Sequence, residues 1–308
     1  MDRGGAVAAI DCGTNSTRLL IVDGDGHTLD RSMQITRLGA GVDATGVLAP
    51  EAVERCLTVL REYRQIMDKF SVTKGRLAAT SAARDASNGD EFLRAAGEVT
   101  GVEPELLVGT EEGRLSMAGA LADLGHEEGP FLILDIGGGS TELVAGSSAD
   151  DPELAVVSLQ VGCVRITERF LHDDPPTPDE LAGAEAMVDE LLEQAIADHP
   201  RFVSSHRLVG LAGTVTTLAS LHLGMDRYDR DRIHHHVLTA DVVDRWYRTL
   251  ASEVTAARLD RAGMVSGRED VIVGGALILA RVMARFGFEE CLVSEADILD
   301  GMAASLLG

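Results

Sequence analysis

Two short stretches of the chain place an aspartate, glycine backbone and a serine within a few residues of one another. IDCGTNSTR, residues 10–18, and LDIGGGSTE, residues 134–142, each follow an apolar run with Asp, then glycine, then Ser-Thr. Glycine leaves backbone N–H groups uncovered and permits the positive φ angles that anion-binding turns use. Asp11 and Asp135 lie 124 residues apart. The repetition predicts a duplicated phosphate-binding turn.

The alternative for each stretch is an ordinary hairpin turn, which a single glycine-rich segment between strands usually forms. Neither stretch matches GxxxxGK[ST] or GxGxxG, so neither predicts an ordinary P-loop or a dinucleotide site. Both copies, however, keep the same spacing of five residues between the Asp and the Ser. That shared spacing favours phosphate binding over two unrelated hairpins.

The elements that must position these turns are strands alternating with amphipathic helices, the pattern of an α/β fold. AVAAIDCG predicts a strand and TRLLIV its hairpin partner. Apolar residues at helical spacing from Pro50 to Phe70 predict a helix that begins at proline. TPDE, residues 177–180, is a capping box that opens a helix toward His199. DVIVGGALILARVMARFG predicts a buried helix that ends at glycine.

The composition bounds the class of protein. A length of 308 residues predicts two domains, and LGHEEGP, residues 124–130, is the most linker-like segment. We therefore predict domains at 1–126 and 127–308, with a C-terminal helix at about 298–308 that packs back on the first. The net charge of −23 disfavours nucleic acid and anionic membranes as partners. Because we find no signal peptide, no apolar membrane span and only scattered cysteines, we expect a cytoplasmic protein with reduced thiols.

Seven segments, in order, resemble the exopolyphosphatase and guanosine pentaphosphate phosphohydrolase family, within the superfamily of actin, sugar kinases and heat-shock ATPases. They are IDCGTNSTRLLI, ATSAARDASN, GTEEGRLSMAG, LDIGGGSTEL, LQVGCVRITERF, GLAGTVTTLA and GREDVIVGGALIL, and they extend over essentially the whole chain. The resemblance implies an α/β fold of duplicated actin-like, ribonuclease-H-like domains with a cleft between them. It also implies metal-dependent removal of the terminal phosphate from inorganic polyphosphate, with Mg²⁺ as the metal and Mn²⁺ as the alternative. A homodimer is expected by analogy alone.

The resemblance also implies roles for individual residues. Glu112 would orient or deprotonate the attacking water, and Arg84 would hold phosphate oxygens. Glu142 would act with Asp135 in binding the metal, and Asp11 is the next candidate ligand. The residues expected to bind phosphate are Gly13, Thr14, Asn15, Ser16, Gly137, Gly138, Gly139, Ser140, Gly213, Thr214 and Arg268.

Several of these residues also have simpler interpretations. With Thr110 as N-cap, Glu111 and Glu112 would lie in a first helical turn and complement the helix dipole. Glu142 would be a solvent-facing strand residue, and Arg84 a surface arginine. The run of histidines at 234–236 suggests a metal site, but adjacent residues do not share a face, and we predict a loop.

The sequence is also compatible with other functions and substrates. Longer members of the family continue into helical C-terminal domains that this chain lacks, so we expect short to medium polyphosphate as the substrate. Guanosine pentaphosphate is the alternative substrate for the same chemistry. A non-catalytic sensor of polyphosphate or alarmone would keep the glycine turns but need not keep Glu112 and the acidic metal ligands. A small-molecule kinase would need an acceptor pocket, and the sequence offers no sign of one.

Overall fold

The computed structural model describes residues 5–124 and 129–308. Its packing divides the chain into two compact units: one takes the residues up to Gly119 together with Ile298–Gly308, and the other takes Ala120–Asp297. The domain boundary predicted at 126–127 lies outside the described residues and stays a prediction. Within the described ranges, no helix is both long enough and apolar enough to cross a membrane.

The first unit is built around one five-stranded sheet. Its strands are β1 (Val7–Cys12), β2 (Ser16–Val22), β3 (Thr28–Ile35), β4 (Lys74–Ala79) and β5 (Pro104–Leu106). Their order across the sheet is β3-β2-β1-β4-β5. Its helices are α1 (Val42–Thr45), α2 (Pro50–Lys69), α3 (Ser81–Asp85), α4 (Gly89–Thr100), α5 (Gly109–Ala120) and, at the end of the chain, α13 (Ile298–Leu307).

The second unit is built around a six-stranded sheet. Its strands are β6 (Phe131–Ile136), β7 (Thr141–Gly146), β8 (Ala155–Leu159), β9 (Arg207–Leu211), β10 (Val237–Thr239) and β11 (Glu290–Val293). Their order is β10-β11-β9-β6-β7-β8. Its helices are α6 (Cys163–Phe170), α7 (Pro178–Asp198), α8 (Ala212–His222), α9 (Arg230–Ile233), α10 (Ala240–Ala251), α11 (Thr255–Leu259) and α12 (Ile272–Phe286).

The two sheets repeat one topology. In the first, β1 pairs antiparallel with β2 and parallel with β4, β3 extends the antiparallel side, and β5 extends the parallel side. In the second, β6, β7, β8, β9 and β11 take the places of β1, β2, β3, β4 and β5 with the same directions. The predicted α/β fold of duplicated actin-like domains is therefore confirmed, and β10 is an addition at one edge.

The central strand β1 is buried on both sides. Successive residues of a strand face opposite layers, and here Ala8 and Ile10 pack in one core with residues of α2 and α4. Val7 and Ala9 pack in another core with residues of α13. A strand covered on both faces reads as a continuous apolar run rather than as an alternating one, which explains the sequence AVAAI.

Local sequence signals determine three of the helix boundaries as predicted. Helix α2 begins at Pro50. Before α7, the N–H of Glu180 donates to Thr177 Oγ1 at 3.4 Å, and the N–H of Thr177 donates to Glu180 Oε2 at 2.7 Å, which forms the capping box. Helix α12 ends at Gly287, whose φ of 75° is the left-handed conformation that glycine adopts without strain.

Candidate active site

The glycine turn of the second unit joins β6 to β7. The N–H of Gly137 donates to the carbonyl of Ser140 at 3.0 Å, which closes the turn. A Cβ at Gly137 would lie only 3.0 Å from the same oxygen. A side chain at this position would therefore crowd this turn, which is one of the two that the sequence predicts to bind phosphate.

The start of α6 holds the carbonyl groups of this turn. The Gly137 carbonyl accepts the N–H of Cys163 at 3.0 Å. The Gly138 carbonyl accepts the N–H groups of Val164 and Arg165 at 2.9 and 3.1 Å. The first N–H groups of a helix have no acceptor within the helix, and in α6 the turn supplies acceptors for them.

Three N–H groups of the turn point away from α6. The Gly139 carbonyl also faces α6, because it accepts Arg165 Nε at 2.7 Å. The C=O and N–H of a trans peptide unit point in opposite directions, so the N–H groups of Gly138, Gly139 and Ser140 lie on the other side. Among the described residues, none of these N–H groups has a protein acceptor. Successive N–H groups aligned in this way form an anion-binding nest.

Asp135 and Glu142 are directly opposite each other in the β6–β7 register. Opposed residues of an antiparallel pair project from the same face of the sheet. Glu142 is only 1% exposed, which rules out the solvent-facing interpretation, and Asp135 is 7% exposed. Ser158 Oγ donates to Glu142 Oε1 at 2.7 Å. Two adjacent buried carboxylates repel each other when both are charged, and a divalent cation would offset that repulsion.

Gly213 and Thr214 lie in the first turn of α8, directly after β9, at the strand-to-helix junction that the sequence predicted. Strand β9 runs parallel to β6 as its neighbour. The junction and the glycine turn therefore follow the carboxyl ends of adjacent parallel strands, the edge at which α/β sheets bind ligands. Ala212 has a φ of 64°, a strained conformation of the kind found at functional sites.

Arg268 covers this junction. A Cβ at Gly213 would lie 1.3 Å from Arg268 Nη1, so the guanidinium rests where a side chain would stand. Cys163 connects the junction to the glycine turn, because its side chain hydrogen-bonds with Thr214 while its N–H bonds to the turn. Burial raises the pKa of Cys163 to about 11, against the opposing effects of Arg268 and Thr214. The thiol is thus held in its neutral form.

The first unit repeats the turn between β1 and β2. The N–H of Gly13 donates to the carbonyl of Ser16 at 3.0 Å, the same distance as in the second copy. Here the segment 36–39, after β3, takes the place of α6. Its N–H groups donate to the carbonyls of Thr14 and Asn15 at 2.8 to 3.1 Å. The duplication therefore extends to the way in which each turn is supported.

Asp11 faces a cation, whereas Asp135 faces a second carboxylate. In the β1–β2 register Asp11 lies opposite Arg18, the position that Glu142 takes opposite Asp135. Arg18 Nε and Nη2 donate to Asp11 Oδ2 at 3.0 and 2.7 Å. This guanidinium would compete with a metal ion for Asp11 Oδ2, and Asp11 stays a candidate ligand.

Helix α5 carries Glu111 and Glu112 in its first turn. The predicted N-cap, Thr110, is wrong by two residues: the helix begins at Gly109, and the N–H groups of both glutamates donate to the Val108 carbonyl at 3.0 Å. The path of the chain after β5 places the first helical carbonyl at Val108, and this tertiary constraint overrides the capping preference of threonine.

Arg84 and Glu112 lie side by side in the first unit. Arg84 Nη1 is 3.4 Å from Glu112 Oε2 and donates to the Leu107 carbonyl at 2.7 Å. Glu112 is 9% exposed. Both residues follow the carboxyl ends of the parallel strands β4 and β5, as the turn at 13–16 follows β1. One edge of the first sheet therefore carries all the predicted residues of that unit.

The histidines at 234–236 lie in a loop after α9, as predicted. His234 and His235 stack with ring centroids 3.9 Å apart, and ligand atoms of both lie within 4.8 Å of Asp123. His234 Nδ1, however, accepts the N–H of Glu295 at 3.1 Å. The proton of this ring is therefore on Nε2, which donates to Asp123 at 2.6 Å and cannot also bind a metal. The arrangement is a hydrogen-bonded loop.

Sequence reasoning missed four residues that contact predicted site residues within one unit or the other: Arg18, Ser158, Cys163 and Arg165. For Arg18 a signal existed, because it stands seven residues after Asp11 just as Glu142 stands seven residues after Asp135. Comparison of the two copies shows that only the second pairs two carboxylates. The other three lie in segments that meet the turn only in the folded chain.

The chain is similar to proteins of one family along its length. The model of the Ppx/GppA phosphatase family matches residues 20–308. Exopolyphosphatase 2 of Mycobacterium tuberculosis is 44% identical over 319 residues, with 98% of each chain covered. The solved structure of an exopolyphosphatase from Cytophaga hutchinsonii has a TM-score of 0.87 and 26% identity over 98% of this chain and 97% of that one. The Aquifex aeolicus member of the Ppx/GppA family has a TM-score of 0.80 and 31% identity, with 98% of each chain covered.

Proposed function

The chain belongs to the Ppx/GppA phosphatase family of phosphoanhydride hydrolases, and we propose that it releases the terminal phosphate of inorganic polyphosphate. The relative with 44% identity over the whole chain is an exopolyphosphatase, which supports this substrate.

The observation that carries the proposal is the nest beside two buried carboxylates in the second unit. The N–H groups of Gly138, Gly139 and Ser140 are aligned and have no acceptor among the described residues. They suit the oxygens of a phosphate group, because glycine leaves them accessible. Asp135 and Glu142 stand at the two ends of the same turn. Together these groups would bind an anion and a cation in contact with each other.

Asp135 and Glu142 would hold a divalent metal ion, directly or through water. Their fit rests on their burial and on their opposed positions, because a divalent cation between them would stabilise both carboxylates in the charged form. Mg²⁺ is bound by one or two carboxylates and keeps several waters, and Mn²⁺ is the alternative. When bound by these carboxylates, such an ion would supply positive charge next to the phosphoryl oxygens.

Glu112 would position the attacking water and accept its proton as the oxygen–phosphorus bond forms, while the shortened polyphosphate leaves as an anion. Arg84 would neutralise the phosphoryl oxygens. Its Nη2 is buried and has no hydrogen-bond partner in the described part of the chain, so this nitrogen suits a phosphate oxygen. At 3.4 Å, its contact with Glu112 is long for a hydrogen bond and would be readily exchanged for a phosphate contact.

The net charge of −23 favours short to medium polyphosphate, because a long polyanion is repelled by the acidic surface. Guanosine pentaphosphate is the alternative substrate for the same groups. The buried carboxylates and Glu112 favour an enzyme over a sensor, which needs only the anion-binding turns. A cytoplasmic location and a homodimer stay predictions.

The test measures phosphate release from inorganic polyphosphate, guanosine pentaphosphate and ATP, each with and without Mg²⁺. We expect release from polyphosphate to be fastest and to stop when the metal is chelated. Glu112→Gln should lower the rate by about 10²- to 10⁴-fold, since it removes the proton acceptor, while polyphosphate still binds. Glu111→Gln is the matched control, because Glu111 points about 100° away around the same helix, and it should remain close to wild type.

Other outcomes would contradict specific parts of the proposal. If folded Glu112→Gln hydrolyses polyphosphate at the wild-type rate, the catalytic assignment is wrong, and if only Glu111→Gln is inactive, Glu111 holds that role. A clear preference for guanosine pentaphosphate would make it the substrate in place of inorganic polyphosphate. Tight polyphosphate binding without any phosphate release would identify a sensor.

A further inference from the structure

We infer that Arg165 is a positioning residue for the glycine turn of the second unit, through its side-chain hydrogen bond to the Gly139 carbonyl. This inference rests on the proposed function, because it concerns the turn that would bind the terminal phosphate. Arg165 would not contact the phosphate itself. It would determine which way the peptide group between Gly139 and Ser140 faces.

Arg165 holds two successive carbonyl groups of the turn. Its side-chain Nε donates to the Gly139 carbonyl at 2.7 Å, and its backbone N–H donates to the Gly138 carbonyl at 3.1 Å. The residue is only 9% exposed. A hydrogen bond from a charged donor is about twice as strong as a neutral one, so Arg165 Nε strongly restrains the Gly139 carbonyl.

Such support matters here because glycine has more accessible backbone conformations than other residues. Residues 137–139 are all glycine, and glycine adopts both signs of φ with similar ease. If the Gly139–Ser140 peptide group rotated by half a turn, its carbonyl oxygen would replace the Ser140 N–H on the anion side. A donor would thus become an acceptor that repels phosphate. Arg165 opposes this rotation by bonding the carbonyl on the opposite side.

The first unit provides an internal comparison. There the turn reads Gly-Thr-Asn at residues 13–15, and the Cβ atoms of Thr14 and Asn15 restrict φ and ψ more than glycine does. Only backbone N–H groups support the carbonyls of Thr14 and Asn15, and no side chain of the described residues donates to them. The turn with three glycines is therefore the one whose carbonyl accepts a hydrogen bond from an arginine side chain.

The close approach of α6 to the turn depends on Gly162. A Cβ at this residue would lie 2.4 Å from the Gly138 carbonyl oxygen. Any other residue at 162 would therefore push α6 away and remove Arg165 from its hydrogen-bonding distance. In the VGCVR segment, residues 161–165, Gly162 thus permits the close approach and Arg165 donates the hydrogen bond to the Gly139 carbonyl.

The experiment compares Arg165→Ala and Arg165→Lys with Arg258→Ala. Arg258 is a matched control, because it is 3% exposed in the same unit and pairs with Asp174, outside the turn.

We expect Arg165→Ala to lower kcat/KM for short polyphosphate by about 10²-fold, the typical effect of losing one oxyanion donor. The inhibition constant of inorganic phosphate should rise in parallel. Arg165→Lys should lower kcat/KM less than Arg165→Ala does. Millimolar guanidinium ion should restore part of the activity of Arg165→Ala. Arg258→Ala should lower Tm and change neither constant.

The inference is overturned if Arg165→Ala keeps the wild-type kcat/KM and the wild-type phosphate inhibition constant. It is also overturned if Arg258→Ala lowers kcat/KM and raises the inhibition constant as much as Arg165→Ala does. If Arg165→Ala does not fold, Arg165→Lys decides: unchanged kcat/KM and unchanged calorimetric affinity for tripolyphosphate would contradict the inference. Wild-type protein that releases no phosphate would contradict the proposed function instead. In that case the affinity for tripolyphosphate, measured for wild type and variants, still tests the role of Arg165.

Discussion

At the scale of single residues, Gly213 leaves room for a guanidinium. Its missing Cβ would lie 1.3 Å from Arg268 Nη1, and its φ is outside the left-handed region, so alanine fits the backbone. We predict that Gly213→Ala displaces Arg268 and lowers kcat/KM for polyphosphate by about 10- to 100-fold, the equivalent of one charge-assisted hydrogen bond. The fold should be unchanged or more stable by up to about 1 kcal/mol, because alanine favours helix. Steady-state kinetics and urea unfolding measure the two effects.

The double variant shows whether Gly213→Ala acts through Arg268. If it does, Gly213→Ala combined with Arg268→Ala should be no worse than Arg268→Ala alone, since residues that act on one contact are not additive. Additive losses would mean that the alanine methyl disturbs the anion site directly and that Arg268 is not the group displaced.

At the scale of elements, helix α13 supports the helix that carries Glu112. A Cβ at Gly301 would lie 2.1 Å from the Leu115 carbonyl oxygen of α5, and a backbone atom cannot move aside as a side chain can. We predict that Gly301→Ala destabilises the protein by about 1 to 3 kcal/mol and lowers kcat, because α5 must shift. Thermal unfolding and phosphate release measure both. Ala304→Gln, at an exposed position of the same helix, is the control.

That control separates a specific contact from a general effect on α13. If Ala304→Gln lowers kcat as much as Gly301→Ala does, the close contact with Leu115 is not the cause. If Gly301→Ala lowers stability but leaves kcat unchanged, the position of Glu112 does not depend on α13.

At the scale of the whole molecule, charge should decide chain-length preference. A net charge of −23 repels a polyanion in proportion to its charge, and this repulsion reaches about 30 Å at 0.01 M salt but about 10 Å at 0.1 M. We predict that added NaCl lowers KM for long polyphosphate relative to KM for tripolyphosphate. Initial rates at constant free Mg²⁺ check this. An opposite salt effect would mean that the local arginines dominate the approach of the substrate.

Much of the molecule follows from the sequence alone. The strands around Asp11 and Asp135, the start of α2 at Pro50 and the capping box of Thr177 were all predicted, because each depends on interactions between residues close in sequence. The repeated Asp-to-Ser spacing also predicted two equivalent turns. These signals are local, so they do not require knowledge of which strands become neighbours.

The tertiary structure decided which groups surround those turns. Arg165 bonds to Gly139 over a separation of 26 residues, and Arg268 rests on Gly213, so neither contact is visible until helices pack against strand ends. The N-cap prediction at Thr110 was wrong for the same reason. The path of the chain after β5 places Val108, and not Thr110, at the N-cap position of α5. Strand register likewise gave Asp11 an arginine and Asp135 a glutamate as partners. Local propensity determines that a strand or helix forms, whereas the position of one element against another depends on burial shared across the whole fold.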